Sequence, residues 1–521
     1  MYGKPRYALI KDVNRHNSLL VMAVVLTGFV LRLINIGGKG IWYDDAFSIL
    51  LANREIPQII SGTAADTMPP VYYFLLHFWG LVSQQIWFLR ILNVILSTVV
   101  IYLIIKIVSR IANSKAALVA GMLTAISPFQ IYHAQELRMY VILEFALLIH
   151  ILAFVDLFVI TNLNGIGKWK AVGLVLSGIV ALYSHNLAVF TLAGLNIFLI
   201  VRRDWRSFSR NLLLQSIMLF AFLPWLVFLP GQIDKIQTAF WTPKPGLVQI
   251  IQSVLTMLGT LPLTQLSMYS IAILVTFLLV IILRRLSLSD LRRTNMLFVI
   301  CLVFAPPFLL FVVSWFMRPI FVPRAFIVSG LFIYAFVGII LGGRNVSNET
   351  IEQNRMRTMK SKSQTIIIMV IFAIISAISL PFQYTYSSFP RSEFSQLIKI
   401  VGEGCTEDCL VVHDNKLSYF PALIYGPNVP QVFIMDEKGS HNDTLALKTQ
   451  QAMGIFAEPD IQTAVGNKKM VRFVVFSKTI SEYRDMGIAI HPNLEWLRGE
   501  LIEKEHRSIG DLEFFFFEKS Q

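Results

Sequence analysis

Two adjacent carboxylates, Asp44 and Asp45, follow the first long apolar stretch, within the run Ile41-Trp42-Tyr43-Asp44-Asp45-Ala46-Phe47. Paired acids directly after a membrane-length stretch cost free energy unless they are solvated or used. Two readings are open. As capping residues they favour the N-terminus of the amphipathic stretch Ala46–Ile60, whose dipole attracts negative charge. As chemistry, a carboxylate here is a general base able to take the proton of an acceptor hydroxyl. A second group lies in Ser127–Tyr140, which carries Tyr132, His133, Glu136, Arg138 and Tyr140. Glu136 and Arg138 either pair with each other at the membrane interface or belong to a polar site. His185, in the turn Tyr183-Ser184-His185-Asn186, is a third candidate, with a hydrogen-bonded turn histidine as the plainer reading. Arg32, Arg90, Arg318 and Arg324 stand at the ends of apolar stretches. They either snorkel to headgroup level or bind phosphate, whose geometry matches the guanidinium fork. Lys235, after Pro230-Gly231, is either a further cation of such a site or a solvated surface lysine.

These side chains need elements to hold them, and composition says which. The 521 residues are 55% hydrophobic and only 15% charged, with mean hydropathy +0.63; soluble domains carry roughly 25% charged residues. Apolar runs of spanning length are expected near 18–36, 86–108, 116–131, 139–161, 170–186, 187–201, 212–230, 266–284, 296–317, 324–342 and 364–381, about eleven spans. The connection from Gly37 to Gln85 is long and aromatic-rich, and a second helix is expected from Pro69-Pro70-Val71-Tyr72-Tyr73 to Trp79. Trp42, Tyr43, Tyr72, Tyr73 and Trp79 suit headgroup depth. After Pro381 the chain reads as a soluble domain. Apolar β-rich runs at Leu410–Val412, Val432–Met435, Val471–Phe476 and Leu512–Phe517, with helical stretches such as Ser392–Val401 and Ser418–Tyr425 between, predict a small α/β layer. The expected division is therefore a polytopic α-helical module over 1–381, with an external loop at 37–85, and an α/β domain over 382–521. No internal repeat is visible, which counts against a transporter built on inverted halves.

Charge gives orientation. Of the 45 basic and 32 acidic residues, 14 and 19 follow Pro381, leaving 31 and 13 before it. The basic residues fall in alternate connections: Lys4, Arg6, Lys11 and Arg15; Lys106, Arg110 and Lys115; Lys168 and Lys170; Arg202 to Arg210; Arg284 to Arg293; and Arg344 to Lys362. Basic loops stay cytoplasmic, so the N-terminus is expected inside and the C-terminal domain outside. The first apolar run lacks a small-residue cleavage site and reads as a permanent anchor. Nucleic-acid binding is excluded by the lack of any basic, aromatic groove module. Cys405 and Cys409 flank a tight segment; they pair in an oxidising compartment or stay as two thiols, and Cys301 reads as packing. The sequons at Asn345, Asn348 and Asn442 carry no weight, since the first two fall inside.

Taken in order, Trp42-Tyr43-Asp44-Asp45-Ala46, Pro69-Pro70-Val71-Tyr72-Tyr73, Tyr132-His133-Ala134-Gln135-Glu136-Leu137-Arg138-Met139-Tyr140 and Tyr183-Ser184-His185 resemble the membrane glycosyltransferases of the GT-C superfamily. The branch is that of the protein O-mannosyltransferases and the lipid A aminoarabinose transferase, over about residues 15–340. The resemblance implies a polyprenyl-phosphate sugar donor, dolichyl or undecaprenyl, an inverting transfer on the extracytoplasmic face, and an acid pair in the first external loop. Asp44 matches the first acid of that pair, the general base; Asp45 stands where relatives carry Glu. Arg90 resembles the arginine that holds the acidic loop or the lipid phosphate. Glu136 and Arg138 match the second-loop signature that shapes the donor site. Arg324, in Val322-Pro323-Arg324-Ala325, resembles a late Pro-Arg-Tyr element. Two departures stand out: Met68 replaces a polar residue before the Pro-Pro pair, and Ala325 replaces the tyrosine, leaving Arg324 without an aromatic neighbour.

The implied chemistry is direct displacement at an anomeric carbon, with Asp44 deprotonating the acceptor hydroxyl and arginine stabilising the leaving phosphate. No cofactor is required, although paired carboxylates are also able to bind a divalent cation. The partners implied are the membrane, a polyprenyl-phosphate-linked sugar and an acceptor lipid, glycan or protein. The competing readings are a transporter or flippase of lipid-linked glycans, a polymerase or ligase of such glycans, and a non-catalytic assembly protein.

Overall fold

The computed structural model describes residues 15–160, 167–239, 242–259, 263–286, 291, 293–342, 351–385, 391–437, 440 and 443–520. Lys4, Arg6, Lys11, Arg292, Arg344 and the three sequon asparagines lie outside them. The chain forms two compact units from interleaved segments. One comprises Met1–Ile34, Arg90–Val227 and Thr242–Gln383; the other comprises Asn35–Leu89, Phe228–Trp241 and Tyr384–Gln521.

The first unit is helical. The apolar stretches read from the sequence are helical, from Arg15–Leu33 and Ile86–Ile111 to Thr294–Phe316, Ile327–Leu341 and Ile351–Thr385, but the span expected over 116–131 breaks at Ser127 between Ser114–Ile126 and Pro128–Ala134. Among the described residues, six helices are long and apolar enough to cross a membrane, or seven if Trp205–Leu226 and Leu229–Thr238 are one broken span. Others are shorter, including Ser114–Ile126, Ala188–Val201 and Leu247–Gly259; the last was not among the expected spans. Backbone polar groups in hydrocarbon must be satisfied within the segment, which forces these runs into helices. Their ends follow local chemistry. Asn113 accepts from Ala116 N at 2.9 Å, and Thr264 accepts from Ser267 N at 3.3 Å. Ser127–Tyr140, expected as a plain connection, contains a short helix, Pro128–Ala134. Ser127 caps it and Pro128 opens it, the position where a missing N–H costs nothing.

Close packing in this unit needs small residues. A Cβ at Gly338 would lie 2.5 Å from the Ala116 carbonyl oxygen and 3.1 Å from Ala120 N, and one at Gly342 would lie 2.8 Å from the Ala116 Cβ. The two glycines, four apart on Ile327–Leu341 and its end, let the backbone of Ser114–Ile126 approach, as small residues do between membrane helices.

In the second unit the stretch expected to run unbroken over Ala46–Ile60 is two helices, Tyr43–Ala52 and Ile56–Ala65. The break follows from a reciprocal capping box at Glu55 and Gln58, with Pro57 just inside the new start,. Val71–Gly80 begins directly after Pro70, as its Pro-Pro start predicts. The C-terminal part contains strands β1 (Cys409–His413), β2 (Gln431–Phe433), β3 (Met470–Phe476), β4 (Ile502–Ile509) and β5 (Leu512–Glu518), in the order β2-β1-β3-β5-β4. β1 runs parallel to β2 and β3, while β5 is antiparallel to β3 and β4. Apolar clusters cover both faces: Val412, Phe473 and Phe515 lie in one, Val411, Val474 and Phe514 in the other. A sheet buried on both faces reads as continuous apolar runs, which is why four of its strands are legible in sequence. β4 was missed because Ile502–Ile509 is polar and largely exposed. It is an edge strand held by a tight turn through Gly510, whose φ is +61°,. Cys405 and Cys409 form a disulfide, and Cys301 is a buried free thiol.

His413, at the end of β1, is fully buried. Its Nδ1 lies 3.1 Å from Ser418 Oγ and its Nε2 3.2 Å from Gln431 Oε1, a set that suits the neutral ring with Nε2 donating. Burial lowers its pKa to about 3.

Two outcomes follow from this architecture. Gly338→Val should lower the thermal midpoint of the detergent-purified protein by forcing the helices apart, at a cost of roughly 1–3 kcal/mol. His413 stays neutral when folded and takes a proton when unfolded below pH 6.5, so its contribution is intact above that value and declines on acidification. Thermal unfolding of the C-terminal sheet should therefore weaken by up to about 1.4 kcal/mol per pH unit below about pH 6.5, and His413→Gln should flatten that slope.

Candidate functional site

In the second unit, Asp44 and Asp45 occupy the first turn of Tyr43–Ala52. Their placement satisfies the dipole reading, although neither acid supplies the N-cap, which is Trp42 without a side-chain cap. The two carboxylates then differ. Asp45 is fully buried, and its Oδ2 accepts from Arg391 Nη1 at 3.1 Å, with side-chain exposures of 0% and 1%. Asp44 is half-buried. The same Arg391 nitrogen donates to Gly40 O at 2.9 Å. Sequence reasoning did not single out Arg391; it stands more than three hundred residues from Asp45, and no local pattern marks it.

Lys235 is not a solvated surface lysine. Its ammonium meets Asp66 Oδ1 at 2.6 Å, with side-chain exposures of 16% and 19%, and nearby Gln232 donates to Thr63 O at 3.1 Å. The end of Ile56–Ala65 is thus tied to Leu229–Ala239 within this unit. Lys416 and Asp436, at the carboxyl end of the sheet, form a further ion pair. Burial lowers the lysine pKa and raises that of the aspartate, and each partner works against its own shift.

In the first unit the second-connection residues cluster. His133 Nδ1 and Glu136 Oε2 are 2.8 Å apart, and each side chain is 5% exposed. The His133 ring lies edge-on to Tyr132 and Tyr140 at 5.2 and 5.1 Å. Tyr140 lies 5.9 Å from the His185 ring. The Arg324 guanidinium sits over Tyr140 at 5.9 Å, so the missing tyrosine at position 325 does not leave Arg324 without an aromatic neighbour. The charges of Arg138 and Arg324 both bear on His185. Leu187 N donates to His185 Nδ1 at 3.1 Å, which leaves that nitrogen unprotonated and fixes the tautomer. The structure therefore assembles Tyr132, His133, Glu136, Arg138, Tyr140, His185 and Arg324 in one place.

Asn93, unmarked in the sequence, holds this turn by donating to the carbonyls of Glu136 and Arg138, the latter at 3.2 Å. Arg90 is fully buried three residues earlier, on the same face of Ile86–Ile111. Arg32 does not snorkel. It is fully buried, with Nε donating to Ser97 Oγ at 2.8 Å and Nη1 to the carbonyls of Gly28 and Ala125 at 2.9 and 3.0 Å. Its ties are to helix backbone, which makes it a brace of the bundle. Chemically, the first unit offers two guanidinium groups whose charges both bear on His185, and guanidinium groups suit an anion. Among the described residues no three His, Cys, Asp or Glu side chains converge as a metal site.

No family model matches the sequence, and no curated protein matches it. Solved structures do match. ArnT from Cupriavidus metallidurans, a lipid A aminoarabinose transferase, superposes in its apo state with a TM-score of 0.62 at 12% identity, over 96% of this chain and 97% of that one. The same protein bound to undecaprenyl phosphate gives 0.62 at 11% identity, over 97% and 98%. The Archaeoglobus fulgidus oligosaccharyltransferase, tethered with an acceptor peptide containing an NVT sequon, gives 0.55 at 11% identity, over 98% of this chain and 74% of that one. This chain shares the fold of these proteins, which are members of the GT-C superfamily. The motifs read from the sequence pointed to that superfamily, and the superposition bears the resemblance out at the level of fold.

The buried Asp45–Arg391 pair generates a stability prediction. Asp45→Asn leaves a buried guanidinium without its counter-charge and should cost about 3–5 kcal/mol. Asp44→Asn, at a half-buried position, should cost much less, and Asp45→Asn combined with Arg391→Gln should recover part of the loss. Thermal unfolding of the purified variants reads all three.

Proposed function

We propose that this protein is an inverting glycosyltransferase that moves a sugar from a polyprenyl-phosphate carrier to an acceptor hydroxyl on the extracytoplasmic face. The observation that carries this reading is the burial of the acid pair: Asp45 is fully buried against Arg391, whereas Asp44, its neighbour on the same first turn, is half-buried and so reachable, on a fold of polyprenyl-phosphate transferases. One superposed protein binds undecaprenyl phosphate, and a form of the archaeal oligosaccharyltransferase, TM-score 0.54, binds a dolichol-phosphate, which supports a carrier of that class here.

In the proposed reaction Asp44 accepts the proton of the acceptor hydroxyl as its oxygen bonds to the anomeric carbon. The bond from that carbon to the phosphate oxygen breaks, the electron pair leaves with the polyprenyl phosphate, and the configuration inverts. The leaving group is a stable anion, so no general acid is needed, and no cofactor is required by the chemistry. Arg138 and Arg324 are the proposed phosphate-binding cations, Arg90 a buried supporting one. Tyr132, His133, Glu136, Tyr140 and His185 shape that donor subsite. Lys235 is proposed to act with Asp66 as a pair rather than as a lone cation.

We also infer that residues 1–381 form the catalytic membrane module with its external loop at 37–85, and that residues 382–521 form an extracytoplasmic domain. The basic connections expected inside and the Cys405–Cys409 disulfide support this orientation, because structural disulfides persist in oxidising compartments. Transfer of a preassembled oligosaccharide is the second reading, favoured by the likeness to the archaeal oligosaccharyltransferase.

The test is sugar transfer from labelled polyprenyl-phosphate donors by purified protein, with membrane extract supplying acceptors. Wild type should transfer a single sugar, and a folded Asp44→Asn should lose roughly 10²–10⁴-fold in kcat. Equal transfer by both would remove Asp44 as base. Transfer only from oligosaccharide-bearing carriers would favour the second reading, and binding of donors without any transfer would overturn the enzyme reading in favour of transport.

A further inference from the structure

The segment that delivers Asp44 is held at several points by the C-terminal part of its own unit. Arg391 Nη1 bridges Gly40 O at 2.9 Å and Asp45 Oδ2 at 3.1 Å, so a single cationic nitrogen fastens the backbone before the helix to a side chain in its first turn. Ile41 N donates to Tyr425 Oη at 3.1 Å. The Tyr43 ring packs edge-on against Phe420 at 5.2 Å, and Phe420 is fully buried. The backbones are neighbours too: a Cβ at Gly40 would lie at ordinary van der Waals distance, 3.5 Å, from the carbonyl oxygens of both Arg391 and Ser392. Residues 40, 41, 43 and 45 are each tied in this way, and Asp44 lies between the last two.

This arrangement has a chemical consequence. A flexible interfacial loop would let the Asp44 carboxylate sample many orientations, and proton abstraction needs one. Angular errors in a reacting group are costly: a displacement of about 1 Å can lower the rate about 100-fold. Fixing the first turn of the helix by an ion pair that excludes water sets the direction of both first-turn acids. The pair is dry, with side-chain exposures of 1% and 0%, so its attraction is little screened. A bidentate-capable guanidinium is also directional, where an ammonium is a point charge.

We propose that Arg391 is a positioning residue for the transfer reaction, locking Asp45 so that Asp44 is presented in one orientation. The C-terminal domain is then part of the catalytic scaffold and not only an appended binding module. The proposal rests on the reading of Asp44 as general base.

Four proteins test it: wild type, Arg391→Lys, Arg391→Gln and Tyr425→Phe. For each, kcat and KM are measured with a labelled polyprenyl-phosphate sugar, and amide hydrogen exchange is followed over Tyr43–Ala52. Arg391→Gln should lose about 100-fold in kcat with KM within about threefold of wild type. Its exchange in the first turns of Tyr43–Ala52 should be faster. Arg391→Lys should recover at least about tenfold of that kcat, because it restores the charge but not the fork. Tyr425→Phe, which alters no charge, should lower kcat in the same direction by a smaller factor. A kcat for Arg391→Gln within about twofold of wild type overturns the proposal, as does a loss expressed only in KM. If Arg391→Gln does not fold, the other two variants decide, and unchanged kcat in both overturns it. If wild type transfers nothing from any donor, the glycosyltransferase reading has failed by itself. Exchange then judges Arg391 separately: faster exchange over Tyr43–Ala52 in the variants keeps its positioning role, and unchanged exchange removes it.

Discussion

The carboxylate of Asp45 has no contact with water, and an ion in such a place persists only with its counter-charge at hand. Taking a carboxylate and a guanidinium out of water costs several kcal/mol each, and their attraction repays this only in good geometry. Arg391 meets that condition and adds a bond to the Gly40 carbonyl. The pair does little for net stability compared with two well-packed apolar residues, yet it strongly penalises any arrangement that separates the two segments. It therefore specifies register: the first turn of Tyr43–Ala52 has one allowed seat against the start of the C-terminal part. The dissimilar environments of two adjacent acids follow from it.

The helical unit applies the same accounting to polar groups in an apolar setting. Arg32, Asn93 and Gln135 would each be costly alone. Each is used to bind backbone of another segment: Arg32 to carbonyls of Ser114–Ile126, Asn93 to those of Glu136 and Arg138, and Gln135 to Arg32 O and Ile34 O at 3.0 and 2.8 Å. The His133–Glu136 turn is rigid because its backbone is bonded from outside while its side chains bond to each other. A turn held in this way keeps its side chains in fixed directions, and preorganisation is what makes charged groups effective where charge develops.

Much of this was legible in the sequence where local physics decides. The apolar runs that became helices, the Pro-Pro start of Val71–Gly80 and four of the five strands all follow from side-chain hydrophobicity and backbone chemistry within a short window. So did the set Tyr132 to Tyr140, because its order matches a known pattern. Failures came where the signal was local but weak, or not local at all. β4 is a polar edge strand whose pairing with β5 comes from a tight turn and not from its own hydrophobicity. The break at Glu55 hides in an ordinary amphipathic stretch. Arg32 was open to snorkelling or to phosphate binding, and its role as a brace was hidden because position along a helix does not reveal which face is covered.

By itself, then, the sequence determined the membrane-length helices, the C-terminal α/β layer, the acid pair and the GT-C resemblance, since hydrophobic period, turn chemistry and motif order are properties of neighbouring residues. Only the tertiary structure decided that Asp45 is buried against Arg391 while Asp44 is half-buried, that Lys235 is paired with Asp66, and that Arg324 finds an aromatic partner in Tyr140. Each of these depends on charges or rings brought together from distant parts of the chain. Electrostatic and stacking energies fall steeply with distance and rise with burial, and neither distance nor burial between remote residues is written in their spacing.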